Sequence, residues 1–200
     1  MILDLIFPKK CLECGIKGIY ICEKCLQKVR LGGLYAGNYS IFKYEGVIRR
    51  AIIALKYKYA TSVADELVSI LVASLLRNNK VASSDYCLVP IPLFWYRKNF
   101  RGFNQVELIG KRLAKEMGWE YIPDLLIRTK QTTPQVQLKG VDRRKNLSDV
   151  FCVNQCSPST VHRSLVLFDD VYTTGSTINE AKKVLYNAGF RNVKSLTIAG

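Results

Sequence analysis

From residue 85 onward the chain alternates short apolar runs with stretches of helical period. Tyr86 to Leu93 (YCLVPIPL) is almost continuously apolar, as in a strand buried on both faces, and Pro90 and Pro92 stop it. Asn104 starts a helix to Met117, with Val106, Ile109, Leu113 and Met117 inward and Lys111, Arg112 and Lys115 outward. Phe151 to Val153 and Ser164 to Phe168 read as strands, Asn179 to Ala188 as a helix, and Val193 to Ala199 as a final strand. Residues 129–146 are polar and form a long loop, a kind usually functional or mobile inside a compact domain. This order predicts a parallel α/β sheet with ligands at the carboxyl ends of its strands. Upstream, Leu34 to Tyr44 reads as one or two strands and Val47 to Lys58 as a helix. Thr61 is placed to cap a further helix from Ser62 to Arg77.

The richest chemistry follows the strand that begins at Ser164. Asp169 and Asp170 end an apolar run, and Thr173, Thr174, Gly175, Ser176 and Thr177 come before the next helix. Tight-loop amides and the unpaired N–H groups of a helix start favour an anion there. The hydroxyls add donors, and glycine lets the backbone approach closely. The two carboxylates repel a phosphate but suit sugar hydroxyls, or a hydrated magnesium ion beside it. A plain helix cap needs one polar residue, whereas here seven of the nine positions from 169 to 177 are polar or glycine. The arrangement predicts a site for a phosphorylated sugar.

Near the start, Cys11-Leu-Glu-Cys14 and Cys22-Glu-Lys-Cys25 form two CxxC knuckles. A pair of knuckles closes a tetrahedral site with no open position, so the metal it predicts is structural. Zinc suits this set, and iron is the alternative because it accepts the same sulfur tetrahedron. Lys9, Lys10, Lys17 and Lys24 would offset the charge of the thiolates. Residues 1–35 are too short for a core of their own, which makes metal binding the main folding contribution of this module. The remaining cysteines differ. Cys87 lies in an apolar strand pattern, and Cys152 and Cys156 are too isolated to form a metal site.

Composition narrows the class. The 200 residues are 48% apolar, enough for one core, with no run long enough to span a membrane. The start, MILDLIFPKK, lacks a basic leader, so a cytoplasmic chain is expected, and in that compartment cysteines serve metals or remain thiols. Thirty basic residues against sixteen acidic ones give +14, a surplus that favours polyanions such as nucleic acid, nucleotides or diphosphates. His162, the sole histidine, precedes a strand and reads as a surface residue.

Arg97-Lys-Asn-Phe-Arg101-Gly-Phe-Asn-Gln105 follows the proline-ended strand, and Arg97 and Arg101 are available to grip phosphate oxygens. Interleaved Trp95, Tyr96 and Phe100 could stack on bases, although Trp95 and Phe100 suit a core somewhat better.

The Asp169 to Thr177 run resembles the motif by which type I phosphoribosyltransferases bind 5-phosphoribosyl 1-diphosphate (PRPP). With the CxxC pair, RGFNQ, TTPQVQL, RRKNLSDVF and VLFDDVYTTGSTINEA, the chain over nearly its full length resembles the ComF family of competence-associated, phosphoribosyltransferase-like proteins. The resemblance implies a parallel sheet flanked by helices over residues 36–200, preceded by a four-cysteine zinc finger in residues 1–35. It implies that Thr173 to Thr177 hold the 5-phosphate, that Asp169 and Asp170 hold the ribose hydroxyls, and that Arg97 and Arg101 face the diphosphate, with Mg2+ accompanying PRPP. Gln135, Arg143, Arg144 and Asn146 would occupy a mobile loop that closes over substrate. The family is linked to natural transformation. Its partners would be single-stranded DNA and competence-machinery proteins such as a DNA helicase, and no membrane insertion is implied. Two functions stay open: transfer of ribose 5-phosphate to an unknown acceptor, or single-stranded DNA binding with the PRPP pocket as a sensor or vestige.

Overall fold

The computed structural model describes residues 9–55, 60–77, 85–93, 104–129, 150–154 and 163–200. In chain order these form helix α1 Glu23–Leu26, strands β1 Leu34–Tyr35 and β2 Asn38–Phe42, and helices α2 Gly46–Ala54 and α3 Ala60–Arg77. Strand β3 Tyr86–Pro90, helix α4 Gln105–Met117, and strands β4 Glu120–Tyr121, β5 Leu126–Arg128 and β6 Phe151–Val153 follow. Strand β7 Ser164–Val171, helix α5 Ser176–Asn187 and strand β8 Val193–Ala199 complete the set.

Six strands make one sheet in the order β1-β2-β8-β7-β3-β4, parallel except for the antiparallel β1–β2 pair, and helices flank it. The expected parallel α/β sheet is therefore present. All five residues of β3 are buried, in keeping with a strand covered on both faces. One face packs Val166, Phe168, Leu88, Leu196 and Ile198 against α2, α3 and α4. The other packs Leu165, Leu167, Cys87, Val89 and Val193 against Ala181 and Leu185 of α5 and against the β5–β6 hairpin.

Helix α4 begins as its sequence predicts. The Asn104 side chain accepts from the Val106 amide at 3.0 Å, and Gly118 ends the helix in the left-handed region at φ 69°. Gly110 lets this helix lie close to the sheet, because a Cβ there would come within 3.1 Å of Leu88 and 3.2 Å of Phe168. Helix α3 differs from expectation, since Thr61 lies inside it rather than capping it. Val63, Ala64, Leu67 and Leu71 are fully buried, so packing decides the helix from its first turns. No helix among the described residues is long and apolar enough to cross a membrane.

The cysteine segment joins the larger core. Cys11, Ile21, Cys22, Cys25 and Val29 are buried in one cluster with Val47, Ile48 and Leu67. Glu66 of α3 accepts the amides of Tyr20 (2.8 Å) and Ile21 (3.0 Å), and Arg50 of α2 donates to the Leu12 carbonyl at 3.4 Å.

Candidate functional site

The loop after β7 lies at the carboxyl end of the sheet's central strands, where an α/β sheet binds its ligands. Sequence pattern placed the end of β7 at Phe168, but the strand continues through both acids: Asp169 pairs with Thr197 of β8 and Val171 with Ala199. Pairing continues because the Tyr172 amide still donates to the Ala199 carbonyl, at 2.8 Å. Strand alternation starts the two side chains from opposite faces of β7, while their carboxyl groups still meet at its end, the Asp170 side chain being in contact with that of Asp169. Asp169 stands on the side of Leu165 and Leu167, facing α5, and Asp170 on the side of Val166 and Phe168, facing α4.

Each acid meets a different partner. Asp170 Oδ2 accepts from Nε2 of Gln105, the first residue of α4, at 3.1 Å, and the Asp170 amide donates to Asp169 Oδ1 at 2.8 Å. The Asp169 carboxyl is pushed well above the usual carboxylate range, first by burial and then by the Asp170 charge; Arg128 of β5 pulls the other way. The Arg128 guanidinium lies over the Phe151 ring, 5.6 Å from its centroid. Gln105 and Arg128 were not among the expected site residues. RGFNQ carried a signal for Gln105, whereas nothing in the LIR strand marks Arg128.

Thr173 to Thr177 form a shallow cradle with Asp169, Val171, Tyr172 and Ile178. Gly175 adopts φ 73° at the start of α5, where the Asn179 amide donates to its carbonyl at 2.8 Å. The helix thus begins at Ser176, three residues before the expected start at Asn179. The amides of its first turn have no intrahelical acceptor, and that of Ser176 reaches the Thr174 hydroxyl at 3.5 Å. The Thr174 and Ser176 hydroxyls pair at 2.8 Å above it, and Tyr172 packs against Gly175. Hydroxyls, first-turn amides and a positive helix end are the groups an anion would meet here, with the carboxylates to one side.

Two other expected groups lie outside the described residues: Arg97 and Arg101 in one segment, and Gln135, Arg143, Arg144 and Asn146 in the other. The described residues that flank these segments are tied to the sheet and to the β5–β6 pair. The Asn104 Nδ2 donates to the Ile91 carbonyl just past β3 (3.4 Å), and the Thr129 amide donates to the Val150 carbonyl (2.8 Å), closing the base of the β5–β6 pair.

The four N-terminal sulfurs, Cys11, Cys14, Cys22 and Cys25, all lie within 4.8 Å of one another, and those of Cys14 and Cys22 are 3.6 Å apart. A tetrahedron with metal–sulfur bonds of about 2.3 Å has edges of about 3.8 Å, so the set fits a tetrahedral metal ion. Burial alone would push the Cys11 thiol up, but the amides of Cys14, Cys22 and Glu13 outweigh it and bring it down to about 6. The Cys25 thiol is pushed up to about 12 by burial and by Cys22, Cys14 and Cys11. A thiolate forms readily at one ligand, and a cation is needed to hold the full set ionised.

Competence protein ComFC of Streptococcus pneumoniae is 31% identical over 177 residues, covering 88% of this chain and 74% of that protein. DNA utilization protein YhgH of Escherichia coli is 27% identical over 185 residues (90% and 78%). Competence protein F of Haemophilus influenzae is 34% identical over 107 residues, 54% of this chain and 47% of that protein. Among solved structures, the allosteric regulatory enzyme of purine biosynthesis aligns over 74% of this chain and 30% of its own, at 14% identity and a TM-score of 0.44, too low to carry an argument. No protein-family model matches the chain.

Proposed function

The chain belongs to the ComF family, and from that membership together with the loop after β7 we propose that it binds PRPP in a role connected to DNA uptake. The observation that carries this reading is the run of strand, acid pair, left-handed glycine and helix start on adjoining residues. The 5-phosphate would sit on the amides and hydroxyls of Thr173 to Thr177. The ribose hydroxyls would face Asp169 and Asp170, and Arg97 and Arg101 would meet the diphosphate. A hydrated magnesium ion fits this carboxylate rim and would neutralise the diphosphate when bound. In the four-cysteine cluster the closed tetrahedral set supports structural zinc, holding residues 1–35 as a module on the phosphoribosyltransferase-like domain of residues 36–200.

The reaction open to such a site is displacement of diphosphate from the anomeric carbon by an acceptor nucleophile. Positive charge builds on the ring as it leaves, and the carboxylates favour that charge. Incubation of PRPP and Mg2+ with free bases and with DNA should release diphosphate with one acceptor class, and Asp170→Asn should abolish the release. A silent screen would remove the transferase step from the account.

A second reading is a single-stranded DNA-binding module with the pocket as a PRPP sensor or vestige. It draws on the +14 charge and on the basic knuckle, where Lys10 pairs with Lys17 and Lys9 lies over the Tyr20 ring at 5.8 Å. DNA affinity should then fall steeply with salt and survive Asp170→Asn; affinity indifferent to salt counts against this reading.

A further inference from the structure

We propose that Gln105 is a specificity-determining positioning residue. By fixing one oxygen of Asp170, it sets the direction in which that carboxylate meets the sugar and makes the pocket select ribose over 2-deoxyribose phosphates. This inference rests on the sugar-phosphate reading of the loop after β7.

The geometry begins with α4. Gln105 is its first residue and is 4% exposed, beside Asn104, which is 2% exposed. Asn104 anchors that end three ways: Oδ1 accepts from the Val106 amide, and Nδ2 donates to the Ile91 carbonyl and to Glu107 Oε1 at 3.1 Å. The helix body is held close to the sheet at Gly110, against Leu88 and Phe168. The Gln105 amide therefore projects from a fixed base, and its Nε2 meets Asp170 Oδ2 at 3.1 Å.

A carboxylate at the end of a strand turns freely about its terminal torsion, a broad twofold rotor. Tying Oδ2 removes that freedom before a ligand arrives, and with the Asp169 carboxyl alongside it sets the direction in which Asp170 can accept from a sugar hydroxyl. An amide is suited to this task, because it donates without neutralising the acid, as an arginine would. Among the described residues no side-chain amide of α4 donates to Asp169, which instead meets the Asp170 carboxyl and the charge of Arg128. Among the described residues, Asp170 is the acid that a side-chain amide from another element holds.

The recognition has a chemical signature. With the sugar 2-hydroxyl assigned to Asp170, ribose 5-phosphate has that donor, and 2-deoxyribose 5-phosphate does not. The hydroxyl should contribute only where the carboxylate is held to receive it.

Calorimetric binding of ribose 5-phosphate and 2-deoxyribose 5-phosphate to the full chain and to Gln105→Met tests the proposal, because methionine matches the volume without the donor. The wild type should prefer the ribo sugar roughly tenfold or more, the worth of one hydrogen bond to a charged group. In Gln105→Met the preference should collapse toward unity, with the deoxy sugar bound nearly as before. If both sugars weaken equally, Gln105 only supports the fold and the proposal is overturned. A wild-type preference that the variant retains overturns it too, while the sugar-phosphate reading stands. If the wild type binds neither sugar, that reading fails and takes the proposal with it. In the ligand-free protein the Gln105 side-chain amide protons should exchange slowly and shift in Asp170→Asn; if they are unaffected, the contact itself is refuted.

Discussion

Gly175→Ala is expected to lower PRPP affinity about a hundredfold while the sheet stays folded. Two independent costs meet at this residue. Its φ of 73° lies in the left-handed region, which costs an alanine roughly 1–2 kcal/mol. An added Cβ would also fall on the Tyr172 ring, 2.7 Å from Cζ. The Tyr172 backbone is held by Ala199 at the end of the β7–β8 ladder, so relief of the clash must come from swinging the ring out of its place against Gly175. The left-handed strain at position 175 also drives the loop to shift, and the amides around the start of α5 lose their common focus. Losing two such bonds to a charged phosphate, at about 1.5 kcal/mol each, gives the hundredfold figure. Calorimetry with PRPP checks the affinity, and circular dichroism checks that the fold is retained. Adding Tyr172→Ala separates the causes, since it relieves the clash and leaves the backbone strain. Unchanged affinity in Gly175→Ala would mean that the phosphate does not sit on this loop.

Stripping the metal from the cysteine cluster should destabilise the whole chain and not the knuckles alone. Structural zinc supplies roughly 10–16 kcal/mol of binding energy in isolated zinc-finger peptides. Here the buried Cys11, Cys22 and Cys25 share one cluster with Ile21, Val29, Val47, Ile48 and Leu67. Loosened knuckles would uncover one side of α2 and α3 and leave the Glu66 carboxylate without the Tyr20 and Ile21 amides. A loss of about 5 kcal/mol, part of the binding energy, would lower the melting temperature by roughly 10–20 °C in a chain of this size. The same loss should follow Cys25→Ser, or acidification that protonates the thiols, since protons compete with metal for sulfur. Metal analysis beside a thermal melt, with and without chelator, measures it. A melt unmoved by complete metal removal would show that packing alone holds the segment.

The periodic parts of the fold were legible in the sequence because local chemistry and burial agree there. Asn104 caps α4, Gly118 ends it in the left-handed region, and Val106, Ile109 and Leu113 are buried along the expected stripe. The cysteine spacing likewise foretold the clustered sulfurs. Boundaries at the site were less legible. Asp169 and Asp170 read as the end of a strand because acids are poor strand formers, yet pairing with β8 carries β7 through them. That continuation starts the two side chains from opposite faces of the strand, a consequence that adjacency in sequence conceals. The start of α5 was misplaced for a related reason: Ser176 and Thr177 look like loop residues, and the turn at Gly175 is what makes them the first helical positions. Contacts between distant segments were not legible at all. Nothing local joins Gln105 to Asp170, 65 positions away, or brings Arg128 near Asp169.

The central claim is that the loop after β7 is a PRPP seat, and calorimetric titration of the metal-loaded chain with PRPP in Mg2+ tests it most directly. The account predicts saturable one-to-one binding that weakens at least tenfold in Asp170→Asn and more in Gly175→Ala. No heat of binding from wild type, or equal binding by all three proteins, would contradict it.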